Sequence, residues 1–403
     1  MAKESVLEST LSFHFDDPVY ENAGALPTLY RSLGLEPRKA HPFWIYEAIQ
    51  AQGRLVAETL ESIPPVAEKI ASAFITSGRK RILFTGIGAS YNLAISAALI
   101  FGELTGLPCE WAESSEAVFS GLPYDYASSL VFGLSASGNS REVVEHARQA
   151  KAAGALVVAM TNLDHTRLVH ESDLAFVAAG GYGLVWDYTT RLSALAYLAN
   201  DLAGRLGRAI VQGEAIRKAL KEIPAHISSA LQQIDDRCQR IGREIAGLRA
   251  AVVPGSGNLL PVAWETALRF EEMAHFPARG RPVVDFLHGG VGFLEKDIVT
   301  LLPAAPGPAY EASLRAARVT RELKTLAVGI VDQSDTEIAR LVDEVVRLPE
   351  THPVLRPLVY LLPAQLIPYY TEIARPGGNP DVQRTDRVRY ARAFDVAYPP
   401  KSH

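Results

Sequence analysis

The stretch "GIGASYNLAISAALIFGEL", starting at Gly86, returns in outline as "GSGNLLPVAWETALRFEEM", starting at Gly255, at an offset of 169 residues. Gly86, Gly88, Ala94, Ala98, Leu99, Phe101 and Glu103 fall on Gly255, Gly257, Ala263, Ala267, Leu268, Phe270 and Glu272. Self-similarity at a fixed offset marks a duplicated structural unit, so the chain is expected to build the same architecture twice. A length of 403 residues suits two domains.

Each copy alternates strand-like and helical patterns. In the first, the apolar runs "RILFTGIG" (81–88), "PCEWAES" (108–114), "SLVFGLS" (129–135) and "ALVVAMTN" (155–162) read as strands, with a helical pattern at 140–153. In the second, "RAAVVPGSG" (249–257), "DIVTLLP" (297–303), "LAVGIVD" (326–332) and 344–348 read as strands, with helices at 260–274 and 309–322. This alternation predicts βαβ units and parallel sheets covered on both faces. Residues 41–75 and 357–373 read as helical, and 205–245 as a long charged helix. The resulting division is an N-terminal extension (1–40), a first α/β domain (41–206), a helical connector (207–245), a second α/β domain (246–375) and a tail (376–403). The two domains are expected in tandem, related by a pseudo-twofold axis.

Composition removes several classes of function. The net charge of −5 gives no basic excess, so nucleic acid is not an expected partner. No apolar run approaches the length of a membrane span. The start, "MAKESVLEST", is neither a signal peptide nor an Arg-rich transit peptide, which predicts a cytoplasmic protein. Cys109 and Cys238 lack metal-type spacing and read as buried free thiols in a reducing compartment. No metal or nucleotide cofactor is expected.

The segment "LSASGNSREVV" (134–144) places Ser135, Ser137 and Ser140 between an apolar run and a helical pattern. Loops at the carboxyl ends of parallel strands are where open α/β sheets bind ligands. A helix starting there offers unpaired N–H groups and the positive end of its dipole. Such a loop binds an anion such as phosphate without a cationic side chain. The serine hydroxyls add donors, and Gly138 lets the backbone come close. The plainer reading is a capped helix, since Asn139 and Glu142 have capping-box spacing. A cap needs one such residue, not three serines. The second copy has "LLPAAPG" here, so the halves have specialised and one site is expected rather than two equal ones.

"GIGASYN" fails as a dinucleotide fingerprint because Tyr91 stands where the third glycine belongs. The same turn could bring Ser90 to the anion, or Ser90 could simply cap a helix. Further on, Glu265, Arg269 and Glu272 lie along one helical stripe. Most such stripes are solvated ladders worth little. This one leads into "HFPARGRPVVDFLHGG", where His288 precedes two glycines. A carboxylate and a histidine in a Gly-rich loop suit acid–base work. The residues alone leave Glu272 and His288 evenly balanced between structure and chemistry.

The strand-linked "GxGxS", the "SxSGxSxE" loop and the helix leading to "HGG" resemble the sugar isomerase (SIS) family of phosphosugar-binding domains. The resemblance spans about residues 41–385 and is most specific at the serine loop. "HPFWIYEAIQAQ" is similar to the family's leading helix and "RPLVYLLPAQLIPYY" to its last. The arrangement resembles the isomerase half of glucosamine-6-phosphate synthase and its ketose/aldose isomerase and deaminase relatives. It implies two flavodoxin-like domains. It further implies that Ser90, Ser135, Ser137 and Ser140 hold a sugar phosphate, with backbone help near Ala89 and Ala136. Glu272 matches the base that moves a proton between C1 and C2, Arg269 stands at a family lysine, and His288 matches a histidine assigned to ring opening. In synthase-type relatives that histidine comes from the neighbouring subunit, which implies a homodimer.

Two departures narrow the expectation. The sequence shows no amidotransferase domain and no Cys after Met1, so glutamine-dependent ammonia transfer is not expected. The tail "GGNPDVQRTDRVRYARAF" offers Arg387, Val388 and Arg389 where relatives place a substrate-contacting lysine, with Lys401 beyond. The expectation is therefore an aldose–ketose isomerase acting on a phosphorylated sugar through ring opening and a cis-enediol. Alternatives on the same residues are a sugar-phosphate deaminase or deglycase, a sulfosugar isomerase, and a non-catalytic sugar-phosphate sensor.

Overall fold

The structure, a computed structural model, describes residues 38–121, 123–181, 185–208, 210–381, 392–393 and 396. Nearly all of the N-terminal extension, and Arg387, Val388, Arg389 and Lys401 of the tail, lie outside the described residues.

The chain enters through α1 (Trp44–Gln50), α2 (Gln52–Ser62) and α3 (Pro64–Thr76). The first α/β run is β1 (Arg81–Gly86), α4 (Ala89–Thr105), β2 (Cys109–Glu113), α5 (Ser114–Ser120), β3 (Ser129–Leu134), α6 (Arg141–Ala152), β4 (Leu156–Thr161), α7 (Arg167–Glu171), β5 (Leu174–Val177) and α8 (Trp186–Arg205). After the long α9 (Ile210–Ile245) come β6 (Ala250–Gly255), α10 (Leu260–Met273), β7 (Ala278–Pro282) and a helical turn at Val283–Asp285. The chain continues through β8 (Ile298–Ala304), α11 (Tyr310–Leu323), β9 (Ala327–Asp332), β10 (Glu344–Leu348) and α12 (Arg356–Ile373).

The strands form two five-stranded sheets, ordered β2-β1-β3-β4-β5 and β7-β6-β8-β9-β10. Every strand pair is parallel. The central strand β3, SLVFGL, is buried along its whole length, as a strand covered on both faces must be. In the first core, Phe84 stacks on Phe132 with ring centroids 4.9 Å apart, an arrangement worth about 0.5–1.5 kcal/mol beyond area burial.

The duplication persists in three dimensions. β1 and β6, β2 and β7, β3 and β8, and α6 and α11 all begin 169 residues apart, the offset read from the glycine turns. Gly88 and Gly257 both adopt φ of 56° ahead of their helices. Asp173 accepts the backbone N–H of Val157 at 2.9 Å, and Asp343 accepts that of Ala327 at 2.8 Å. Each carboxylate ties the start of the fourth strand of its sheet to the turn before the fifth.

Two compact units result, one containing Arg54–Leu220 and the other Ala40–Gly53 with Lys221–Pro380. The segment 40–53 therefore groups with the second unit. Gln52 Nε2 donates to Gln365 Oε1 at 2.7 Å, and Phe43 N donates to Tyr369 OH at 3.2 Å, tying the residues on either side of α1 to α12. The boundary between the units falls within the charged helix α9, after Leu220. Of the two thiols, Cys238 is buried as expected, but Cys109 is only half-buried, at the start of an edge strand. Burial still pushes the Cys109 thiol up to about 12.

Candidate functional site

The serine loop occupies the turn between β3 and α6, at the carboxyl end of the first sheet. Ser135 and Ala136 are buried, whereas Ser137 and Ser140 are half-buried. Ser135 Oγ lies 3.1 Å from Ser140 Oγ and 3.4 Å from Ser137 Oγ. It also accepts the Gly138 N–H at 3.0 Å, while Ser137 Oγ accepts the Asn139 N–H at 3.3 Å. Backbone donors thus occupy lone pairs of two hydroxyls. Their O–H protons stay available to each other or to an acceptor outside, and phosphate oxygens are acceptors.

Gly138 is required by this geometry. Its φ is 65°, and a Cβ there would lie 2.2 Å from Thr166 Oγ1. The capping box does not form. Ser140 is the N-cap of α6 and makes no side-chain cap bond. Asn139 Oδ1 instead accepts the Arg167 N–H at 3.1 Å, at the start of α7. The loop is therefore pinned from behind by α7, and its serines are not consumed in capping.

Ser90 is not a cap either. Gly88 takes the N-cap position of α4, and Ser90 sits one residue inside the helix beyond Ala89, buried. Its Oγ receives a hydrogen bond at 3.1 Å from Nη1 of Arg191, on α8. Arg191 has no exposed side-chain surface, and its Nη2 lies 3.4 Å from Asp187 Oδ2 one helical turn earlier. Its Nε donates to the Asp187 carbonyl at 2.9 Å. Sequence reasoning missed this pair. It expected an anion site without a cationic side chain, and a guanidinium proves to stand behind Ser90, at the separate β1–α4 turn. The available signal was "DYTTR", an Asp and Arg four apart within a helix of apolar and small residues.

In the second unit, α10 carries the Glu265–Arg269–Glu272 stripe. Arg269 Nη2 lies 2.6 Å from Glu265 Oε1, and Arg269 Nη1 lies 2.8 Å from Glu272 Oε2. The stripe is not a solvated ladder. Glu265 and Arg269 are buried, and only Glu272, with 38% of its side chain exposed, reaches solvent. The neighbouring Glu271 carboxyl is pushed up by burial. His288 is exposed on a separate π-helical turn, Phe286–Gly290, whose two ends are buried, a local geometry frequent at functional sites. The structure thus brings three serines together in one cluster, Ser90 with Arg191 in another, and Arg269 with Glu272 in a third.

The second unit's counterpart of the serine loop has no serines and is held by an arginine. Ala304, Pro306 and Ala309 fall at the serine positions by the 169-residue offset. Arg356 Nη1 donates to the Pro306 carbonyl at 2.8 Å, and its Nη2 lies 3.3 Å from Asp332 Oδ2. Tyr360 OH donates to Asp332 Oδ1 at 2.7 Å. Burial pushes the Asp332 carboxyl up. Among the described residues no group of three or more His, Cys, Asp or Glu could hold a metal ion, and no helix is long and apolar enough to cross a membrane.

Comparison with known proteins places this arrangement. The SIS domain model matches residues 75–183 and again 244–374. The chain is 27% identical over 363 residues to the glutamine–fructose-6-phosphate aminotransferase (isomerizing) of Thermococcus kodakarensis, covering 88% of this chain and 58% of that protein. It therefore spans little more than half the length of that curated relative. Among solved structures, the C-terminal domain of glucosamine-fructose-6-phosphate aminotransferase from Francisella tularensis superposes with a TM-score of 0.78 at 21% identity, covering 86% of this chain and 99% of that one. Tagatose-6-phosphate ketose/aldose isomerase from Escherichia coli gives 0.71 at 19% identity, covering 86% of this chain and 97% of that one. With two parallel five-stranded sheets, and family matches that fall one on each, this chain belongs to the SIS domain family.

Proposed function

We propose that this protein is an aldose–ketose isomerase acting on a phosphorylated sugar, with 41–206 and 246–375 as its two SIS domains. The serine cradle at Ser135, Ser137 and Ser140, with Ser90, takes the anion, and Ala89 and Ala136 bring backbone close to it. His288 assists ring opening. The Glu272 carboxylate then removes the proton from C2 of the open aldose. The electron pair moves to the carbonyl oxygen, giving a cis-enediol once that oxygen is protonated. Return of a proton to C1, as the O2 hydroxyl loses its own, yields the ketose.

The observation that carries the reading is the clamp on Glu272. A buried guanidinium holds one oxygen of a carboxylate whose body remains accessible. A base needs that combination of fixed position and open access. The protein is proposed to act in the cytoplasm as a homodimer, with His288 of one copy serving Glu272 of the other.

The test is a product assay over aldose and ketose phosphates, aminosugar phosphates, Amadori phosphates and sulfosugars. Interconversion of one aldose phosphate with its ketose supports the proposal. Release of ammonia or an amino acid would replace it with amine removal, and turnover confined to a sulfosugar would replace the phosphate. Tight binding without turnover would make the protein a sensor.

A further inference from the structure

We propose that Arg191 is a positioning residue that locks Ser90 as a hydrogen-bond donor, tuning the anion site to a tetrahedral oxyanion whose facing oxygen carries no proton. The proposal rests on the serine-cradle reading above and adds a selectivity device to it.

A guanidinium has five N–H donors and no acceptor, and it stays protonated in a protein. The 3.1 Å contact between Arg191 Nη1 and Ser90 Oγ therefore has only one sense. Ser90 Oγ accepts, and its own O–H must point elsewhere. A free serine hydroxyl rotates and can donate or accept as its neighbour requires. Ser90 has lost part of that choice. Ser135 and Ser137 are restricted in the same way by the Gly138 and Asn139 N–H groups. Each of these three hydroxyls thus already accepts from a fixed donor, two from backbone and one from a buried cation, and its own O–H is left for another acceptor, which for Ser135 and Ser137 is a neighbouring serine oxygen or an anion.

The setting of Arg191 supports a specific role. Its side chain is fully buried, where a charge carries a desolvation penalty of several kcal/mol. Asp187 offsets part of that, and a methionine of similar volume would avoid it altogether. The internal repeat supplies a contrast. Leu259 stands in place of Ser90 at the offset of 169 residues, and Leu361 in place of Arg191 at the offset of 170 by which α12 follows α8, in the unit whose counterpart loop has no serines. Buried cation and cradle serine occur together in one copy and are both missing from the other.

Hydroxyls that already accept one bond favour phosphate dianions and sulfonates alike, since each presents proton-free oxygens. Inorganic phosphate and sulfate are therefore the probes, titrated separately by calorimetry near pH 7.5. The proteins are wild type, Ser90→Ala, Arg191→Met, the Ser90→Ala/Arg191→Met double variant and Arg191→Lys. Ser90→Ala and Arg191→Met should each weaken phosphate binding by about tenfold, the scale of one charge-assisted hydrogen bond. The double variant should bind no more weakly than Ser90→Ala, because the guanidinium acts through that hydroxyl. Arg191→Lys, a donor-only cation, should recover part of the loss. A double variant weakened by the product of the two single effects, or full affinity in Arg191→Met, overturns the proposal. If circular dichroism shows Arg191→Met unfolded, Asp187→Asn/Arg191→Met removes the stranded carboxylate and carries the same cycle. A Ser137→Ala/Ser140→Ala protein that keeps full anion affinity overturns the cradle itself, and that result is read separately from the Arg191 cycle. Equal losses for sulfate and phosphate fit the shared chemistry, and a loss for only one identifies the anion the site is built for.

Discussion

Arg269 holds Glu272 with one arm, at 2.8 Å, while its other arm lies 2.6 Å from the fully buried Glu265. The guanidinium therefore does two jobs, neutralising an interior charge and orienting a surface one. Removing one member of a buried pair strands the other, at about 3–5 kcal/mol. Arg269→Met is expected to lose stability on that scale in urea melts. Adding Glu265→Gln should restore much of it without restoring turnover, because Glu272 stays unclamped. Unchanged stability in Arg269→Met would show that the pair contributes nothing.

Glu272→Gln keeps the shape and removes the base. A positioned base contributes typically 10²–10⁴-fold, so kcat should fall by about that factor with KM little changed. Substrate recovered from heavy water should carry deuterium at the exchanging carbon with wild type and none with the variant. Undiminished exchange would assign the proton transfer to another group.

Ser137→Ala/Ser140→Ala removes two donors from the anion cradle while leaving the Gly138–Ser135 bond that shapes the loop. KM should rise strongly with the melting temperature nearly unchanged. An unaltered KM would mean that the anion binds elsewhere.

The exposed His288, on the turn at Phe286–Gly290, sets up a complementation test of the homodimer. Glu272→Gln and His288→Ala proteins, each inactive alone, should regain part of the activity when their subunits exchange. Demonstrated heterodimers with no activity would place His288 and Glu272 in service within one chain.

His146 provides the pH handle. Its Nδ1 lies 2.8 Å from Thr85 Oγ1 and its Nε2 lies 2.9 Å from Tyr126 OH, and burial lowers its pKa to about 4. The unfolded chain takes up this proton near pH 6.5, but the folded chain resists it until about pH 4. Between those values the unfolded state binds more protons, so stability falls as the pH falls. The loss should total on the order of 3 kcal/mol by pH 4. Urea midpoints at several pH values between 7.5 and 4 should show this slope in wild type. His146→Gln should flatten it, and equal slopes would assign the acid limb to other groups.

Central strands were legible because burial on both faces writes itself as unbroken apolar runs, as in SLVFGL. Strand β7, ARGRP, was not legible. It lies at a sheet edge with polar and half-exposed side chains, so neither periodicity nor apolarity marks it. Strand β5 has only four residues, and α8 went unremarked although its apolar residues are buried nearly all round. At the candidate site, the serine spacing could be read from the residues, whereas Glu272 stood out from a charged stripe only through the family resemblance. The burial of Arg269 could not be read, because a charged stripe looks the same in sequence whether water or protein covers it. Arg191 was hidden for the same reason. An Asp and Arg four apart on a helix usually face solvent, and only packing reveals that this pair does not.

The Arg356 staple sets a limit on what loop grafting can achieve in this fold. Writing SASGNS into the second copy in place of the residues from Ala304 to Ala309 would supply hydroxyls, but the bonds that hold this loop would differ from those around the first. The Arg356 arm on the loop carbonyl and the Tyr360–Asp332 bond would remain. A second working cradle would need the staple drawn and a buried cation installed at Leu361 as well. The two halves have diverged in their foundations as well as in their loops, and exchanging only the visible surface would not make them interchangeable again.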